Sequence, residues 1–249
     1  MTLKQNERID EVNDSLRLIQ RTDGLTFGTD ALLLAGYVNG KRRLGVELGG
    51  GSGIISMLLL TRDKIEKIEC CEVQSCYAEL IGRNAGLNGL SERLVALHTD
   101  VRDMQPKEDA DIVFTNPPYM KADGGKNNDT DEKAIARHEI HGSILDFTLA
   151  AKKRLKYGGA FYAVYRPDRL TDLLLAMREA GLEPKRATFV HASLGKEAAM
   201  VLIEGKRGGK SGMILTRPFI IYKSQDHKEY TEDMNFVMEN GSFPDTYKR

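Results

Sequence analysis

The residues with the clearest chemical use are Asn116-Pro117-Pro118-Tyr119, which follow the apolar stretch Ile112-Val113-Phe114, closed by Thr115. That stretch reads as a short buried strand. Two successive prolines have no N–H to give a ladder, so the strand must stop there and the chain runs on as a stiff corner. In such a corner the Pro117 carbonyl and the Asn116 side-chain amide can face the same way. Two adjacent acceptors suit an –NH2 group with two hydrogens to offer, and Tyr119 adds a flat face on which a planar ring can stack. The corner is therefore a holder for a flat substrate with an exocyclic amine. Asn-Pro alone is an ordinary turn opener, so the tetrad acquires this meaning only if a methyl-donor site lies upstream.

Such a site can be read there. Residues 44–53 run Leu-Gly-Val-Glu-Leu-Gly-Gly-Gly-Ser-Gly, and the apolar run Ile54 to Leu60 follows. This is strand, glycine loop and helix, the opening turn of a doubly wound α/β sheet. Gly49, Gly51 and Gly53 alternate, with Glu47 two positions ahead. Ile54 stands where a dinucleotide fingerprint requires its last glycine. A second strand, Lys67 to Cys71, ends at Glu72, a carboxylate able to accept from both hydroxyls of a ribose, with Val73 after it. A helix from Ser75 to Leu87 stops at Asn88-Gly89. The third strand, Leu94 to His98, leads to Asp100 and Val101. Asp100 is suited either to accept from an adenine amino group or to cap the next turn. Four strands thus deliver Glu47 with its glycines, Glu72, Asp100 and Asn116 to one carboxyl edge, where open α/β sheets bind ligands. Upstream, Phe27-Gly28-Thr29-Asp30 precede an apolar helix beginning at Ala31, with Thr29 or Asp30 fit to cap it. The same four residues are candidates to line the ligand site.

Beyond the corner, residues 121–130 are polar and glycine-rich, a loop beside the site. In Arg137-His138-Glu139, His138 is either a proton shuttle or a paired surface residue. The pattern then predicts a helix from Ser143 to Leu155, a strand from Phe161 to Tyr165 and a helix from Leu170 to Ala180. Strands Arg186 to His191 and Ala199 to Ile203, with no helical pattern between them, should form an antiparallel hairpin at the sheet edge. Pro218 to Tyr222 suggests a last short strand. Residues 1–25 show one strand-like patch, Leu16 to Ile19, and the stretch after Tyr222 has no defined pattern.

Composition fits an ordinary globular chain of 249 residues, 41% hydrophobic and 29% charged. Lys+Arg and Asp+Glu both total 36, so no overall field draws in nucleic acid and an RNA-binding surface must be local. Cys70, Cys71 and Cys76 lack paired metal-ligand spacing and make a poor disulfide framework. No metal is expected. With no apolar signal core and no run near ~20 apolar residues, the sequence implies no membrane association and a cytoplasmic setting.

These residues resemble the class I S-adenosylmethionine-dependent methyltransferases with an Asn-Pro-Pro-Tyr corner, and most closely the bacterial tRNA1(Val) adenine N6-methyltransferases. Besides the donor loop and the corner, the likeness includes Phe27 to Ala35, Ala136 to Glu139, Arg166 to Arg169 and Glu183 to Arg186. The resemblance implies an α/β, Rossmann-like seven-stranded mixed sheet of order 3-2-1-4-5-7-6, strand 7 antiparallel, with helices on both faces. It implies an N-terminal extension (1–40) completing the donor site, a methyltransferase core (41–204) and a C-terminal extension (205–249) of the same domain. S-adenosyl-L-methionine would be the methyl donor, held by Phe27, Thr29, Asp30, Glu47, Gly49, Gly51, Gly53, Glu72, Val73, Asp100, Val101 and Asn116, with S-adenosyl-L-homocysteine the product. Asn116, Pro117 and Tyr119 would carry the chemistry on a tRNA adenine 3′ of the anticodon. Pro118, Lys121, Arg137 and His138 would face the substrate, and the protein would be a monomer or weak homodimer. One departure is Gly50, where relatives often carry Cys or Ser; the position should need little more than small size. Alternatives are a glutamine N5 protein methyltransferase, disfavoured by the short stretch before the first core strand, a guanine-N2 RNA methyltransferase, and a nucleotide-binding module without catalysis.

Overall fold

The computed structural model describes residues 3–24, 27–117 and 142–248. The site is built on a parallel sheet whose central strands are Arg42–Leu48 (β3) and Ala110–Thr115 (β6), preceded in the chain by the hairpin Glu7–Asn13 (β1) and Leu16–Arg21 (β2) and the helix Thr29–Tyr37 (α1). From β3 the chain passes through Ile54–Thr61 (α2) to Ile65–Glu72 (β4), then through Ser75–Leu87 (α3) to Leu94–His98 (β5), each strand parallel to the last. It then returns to the other side of β3 as β6. The outward winding reverses between β3 and β6, and that reversal is the switch point at which doubly wound sheets take ligands.

On the far side, Ile144–Arg154 (α4) leads to Leu155–Tyr165 (β7), and Leu170–Glu179 (α5) to Leu182–Ser193 (β8). Ala198–Arg207 (β9) inserts antiparallel between β7 and β8. Read through these seven strands, the order is 3-2-1-4-5-7-6, as the resemblance implied. The strand count differs. Ile214–Leu215 (β10) and Phe219–Tyr222 (β11) both run parallel to β8, making a nine-stranded sheet. β8 would otherwise be a bare edge, and covering edges is what sheets require.

Strand alternation divides the core in two. Ile112 and Phe114 face a cluster with α1, α2, α3 and β2, whereas Val113 faces α4 and α5. Near-continuous apolar strands follow from burial on both faces. Two terminal regions lay beyond the sequence reading. The β1 strand is exposed or half-buried throughout, so it is held by antiparallel pairing with β2 along its length and by Arg83 of α3, which donates to Glu7 at 2.6 Å. That pair holds the Glu7 carboxyl down at about 2. The stretch after Tyr222 contains the helix Glu232–Asn240 (α6), capped by Thr231 accepting from Met234 N and closed by Gly241 at φ +57°. Only Met234 and Val237 on it are buried, too few to show a helical period. Among the described residues no helix is long and apolar enough to cross a membrane.

Candidate active site

The glycine loop closes tightly on the end of β4. Gly49 N and Gly50 N both donate to Cys71 O, at 2.9 and 3.0 Å, and Gly53 N donates to Gly50 O at 2.8 Å. Gly49, Gly51 and Gly53 have φ of +72°, +55° and +79°, a region in which side chains with a Cβ are strained. Gly50 is a glycine for another reason: a Cβ there would lie 2.1 Å from Cys70 Sγ. The expectation that any small residue fits this position is therefore corrected, because Cys70 occupies the space a Cys or Ser would need.

Glu47 lies beneath this loop, 1% exposed. Its Oε2 accepts from Ser56 N at 3.2 Å and from the Ser56 hydroxyl, with Cys70 Sγ 3.4 Å away. Burial pushes its carboxyl up to about 7, the bonds from Ser56 opposing. Ser56 is in the first turn of α2, whose unpaired N–H groups suit a carboxylate. Glu47 thus fixes the start of α2, and with it the loop, from below.

At the end of β4, Glu72 ties the loop sideways: Oε2 accepts from Gly51 N at 2.9 Å and Oε1 from Gln74 N at 2.8 Å. Beyond it, Val73 O lies 3.0 Å from His98 Nε2. Asp100 takes the capping role. Its Oδ1 accepts from Arg102 N and Nε at 2.8 and 3.0 Å, its Oδ2 from Arg102 Nη2 at 2.6 Å, and this guanidinium holds the carboxyl below its ordinary range. Val101 turns into the core.

The register Leu48↔Thr115 sets the β6 end level with the glycine loop, and Thr115 Oγ1 fastens it by donating to Leu48 O at 2.8 Å. Asn116 follows. Its Nδ2 donates to Asp30 Oδ2 at 2.8 Å, across 86 residues of sequence. Asp30 Oδ1 in turn accepts from Ala31 N at 2.9 Å. Neither Thr29 nor Asp30 is the N-cap of α1 as expected: that position is Gly28, which has no side chain to cap with, while the Asp30 carboxylate lies inside the first turn and accepts from Ala31 N and Asn116 Nδ2. The structure thus brings together Asp30, Asn116, Pro117, the glycine loop and Glu72 at one sheet edge. Pro118, Tyr119, Lys121, Arg137 and His138 lie outside the described residues.

Comparison with known proteins decides the family. Residues 21–177, over half the chain, match the methyltransferase small domain. The chain belongs to this family. Among curated relatives of this methyltransferase small domain is a protein of Dyadobacter fermentans named tRNA1(Val) (adenine(37)-N6)-methyltransferase, 22% identical over 200 residues, covering 80% of this chain and 82% of that one. A Porphyromonas gingivalis protein of the same name is 25% identical over 223 residues, covering 82% and 86%. Among solved structures, a predicted O-methyltransferase from Agrobacterium tumefaciens superposes with a TM-score of 0.71 at 21% identity, over 86% of this chain and 98% of that one. Geranyl diphosphate C-methyltransferase from Streptomyces coelicolor, solved with S-adenosyl-L-homocysteine, gives 0.54 at 13% identity over 72% and 78%. These likenesses agree in fold with the sheet order above.

Two further residues support the site and were not singled out from the sequence. Asn84, fully buried on α3, accepts from Ile19 N at 2.7 Å and donates to Ile19 O at 3.1 Å and Ser52 O at 3.0 Å, bridging the hairpin to the glycine loop. Gln20, 2% exposed, accepts from Phe27 N at 2.9 Å and so sets the entry to Gly28-Thr29-Asp30. A signal existed in both cases, since each is an amide where the pattern calls for an apolar side chain. Leu16, Leu18 and Gln20 alternate along one strand face, and Ile81 and Asn84 share one helix face.

Proposed function

We propose that this chain is an S-adenosylmethionine-dependent adenine N6-methyltransferase acting on RNA, at the adenine 3′ of the anticodon in tRNA1(Val). The observation that carries the reading is the placement of Asn116 at the switch point, its amide anchored by Asp30 beside the glycine loop. The names of the curated relatives support the choice of tRNA. The loop fits the donor, because a Cβ at Gly51 would meet nothing within 4 Å and the backbone there borders open space. Gly49, Gly51 and Gly53 would hold the methionine end, bordered by Phe27, Thr29 and Asp30. Glu72 would accept from the ribose hydroxyls, and Val73, Asp100 and Val101 would border the adenine, while Glu47 acts through the loop. When bound, the donor supplies an electrophilic methyl group on a sulfonium and is released as S-adenosyl-L-homocysteine.

The chain's task is to make a poor nucleophile react. The target nitrogen shares its lone pair with the purine ring. Asn116 and the Pro117 carbonyl each accept one of its hydrogens, which favours a pyramidal nitrogen and stabilises the positive charge growing on it. The alkylated nitrogen then sheds a proton to solvent. Tyr119 would stack a base taken out of its RNA stack, and Pro118, Lys121, Arg137 and His138 would contact the substrate. The setting is the cytoplasm, the partner tRNA, and the protein a monomer or weak homodimer. The test is incubation with labelled donor and total bacterial tRNA, followed by nucleoside analysis. Label in N6-methyladenosine is expected; label in N2-methylguanosine, or only in protein, overturns the substrate.

A further inference from the structure

Three observations converge on the Asp30 carboxylate. Its Oδ2 accepts from Asn116 Nδ2 at 2.8 Å, and its Oδ1 accepts from Ala31 N at 2.9 Å. Gly28, whose φ of −118° needs no glycine, leaves the room: a Cβ there would stand 2.7 Å from Asp30 Oδ1. The carboxylate is thus built into the first turn of α1, where a helix end favours a negative charge. An ionised carboxylate only accepts hydrogen bonds, so the Asn116 amide must turn its NH2 toward Asp30 and its carbonyl elsewhere.

We infer that Asp30 is a positioning residue that selects one of the two orientations of the Asn116 amide, so that Oδ1 rather than NH2 meets the target amine. The inverted amide would set donor against donor and give an unproductive complex. An amide that donates to a carboxylate also carries more negative charge on its oxygen, because successive hydrogen bonds polarise one another. The gain falls on the transition state, in which the amine nitrogen becomes positive. This inference rests on the proposed amine-methylating reaction but not on which amine is methylated.

The test exchanges the two side chains. Asp30→Ala should lower kcat by roughly 10- to 100-fold, as for loss of a charge-assisted bond, and by more than any accompanying loss of donor affinity measured by calorimetry. Asn116→Asp should be worse, since two carboxylates then face each other. The double variant Asp30→Asn with Asn116→Asp should recover at least about tenfold over Asn116→Asp, because the bond is remade with donor and acceptor exchanged. No recovery, or a donor affinity falling as far as kcat, overturns the inference. If the wild type methylates guanine or glutamine, the tRNA adenine reading fails, but the exchange is scored on that amine. Independently of turnover, the side-chain amide resonance of Asn116, assigned by its disappearance in Asn116→Asp, should shift in Gly28→Ala, where the carboxylate is displaced. An unmoved resonance also overturns the inference.

Discussion

Asn116 and Gly50 show how much rests on single atoms at this site. Replacing Asn116 by Ala should cost on the order of 10²–10³ in turnover, as for loss of one hydrogen bond made to a developing charge. Donor titration should show affinity spared, and steady-state kinetics should place the loss in kcat. Gly50 is tested by a pair. Gly50→Ser alone should destabilise the fold by about 1–3 kcal/mol through overpacking against Cys70, and adding Cys70→Ala should return most of it in urea denaturation. Glu47 gives a pH signature. Its carboxyl sits at about 7 in the fold against an unperturbed 4.5. Between those values the folded state holds a proton that the unfolded state lacks, so stability falls as pH rises from 4.5 to 7. The full swing is on the order of 3 kcal/mol. Denaturation of Glu47→Gln should lack this slope, so the difference between variant and wild type should grow from pH 5 to pH 8.

At the scale of elements, the β1–β2 hairpin works as a brace between α3 and the donor loop. Asn84 joins β2 to Ser52 through three bonds within the core. Asn84→Ala leaves the N–H and carbonyl of Ile19 and the carbonyl of Ser52 without that partner, so a loss of about 2–4 kcal/mol is expected. Because one of these groups belongs to the glycine loop, donor affinity measured by calorimetry should fall as well. A variant that lost stability with unchanged donor affinity would limit Asn84 to the fold. α1 is held at both ends: its first turn engages Asn116, and Lys64 Nζ donates to Ala35 O and Gly36 O in its last turn and to Val38 O just after it. Burial brings that ammonium down to about 7.

Across the whole molecule, the C-terminal segment closes the face that α1 rests on. Arg186, 3% exposed, donates to Tyr247 O at 2.6 Å, to Tyr37 O at 3.1 Å and to Glu204, and its guanidinium lies 3.9 Å from the Tyr37 ring centroid. Phe243 packs against Tyr37, Phe219 and Tyr247 in the same layer. Arg186→Leu leaves the Tyr37 and Tyr247 carbonyls and the quarter-exposed Glu204 carboxylate without this partner and should cost about 2–4 kcal/mol. Hydrogen exchange should quicken across residues 232–248 before the central strands respond.

The sequence by itself determined the succession of core strands and helices along the chain, the glycine loop and the strand-end positions of Glu72 and Asn116, because apolar runs and glycine or proline stops are local properties, whereas the order of strands in the sheet was implied by the family resemblance. The docking of the two terminal segments, Cys70 filling the place of a Gly50 side chain, Asp100 turning to Arg102 and Asp30 reaching Asn116 were decided only by the tertiary structure. Each of these depends on which surfaces meet across long stretches of chain, and a hydrogen bond spanning 86 residues leaves no mark in the local pattern of either partner.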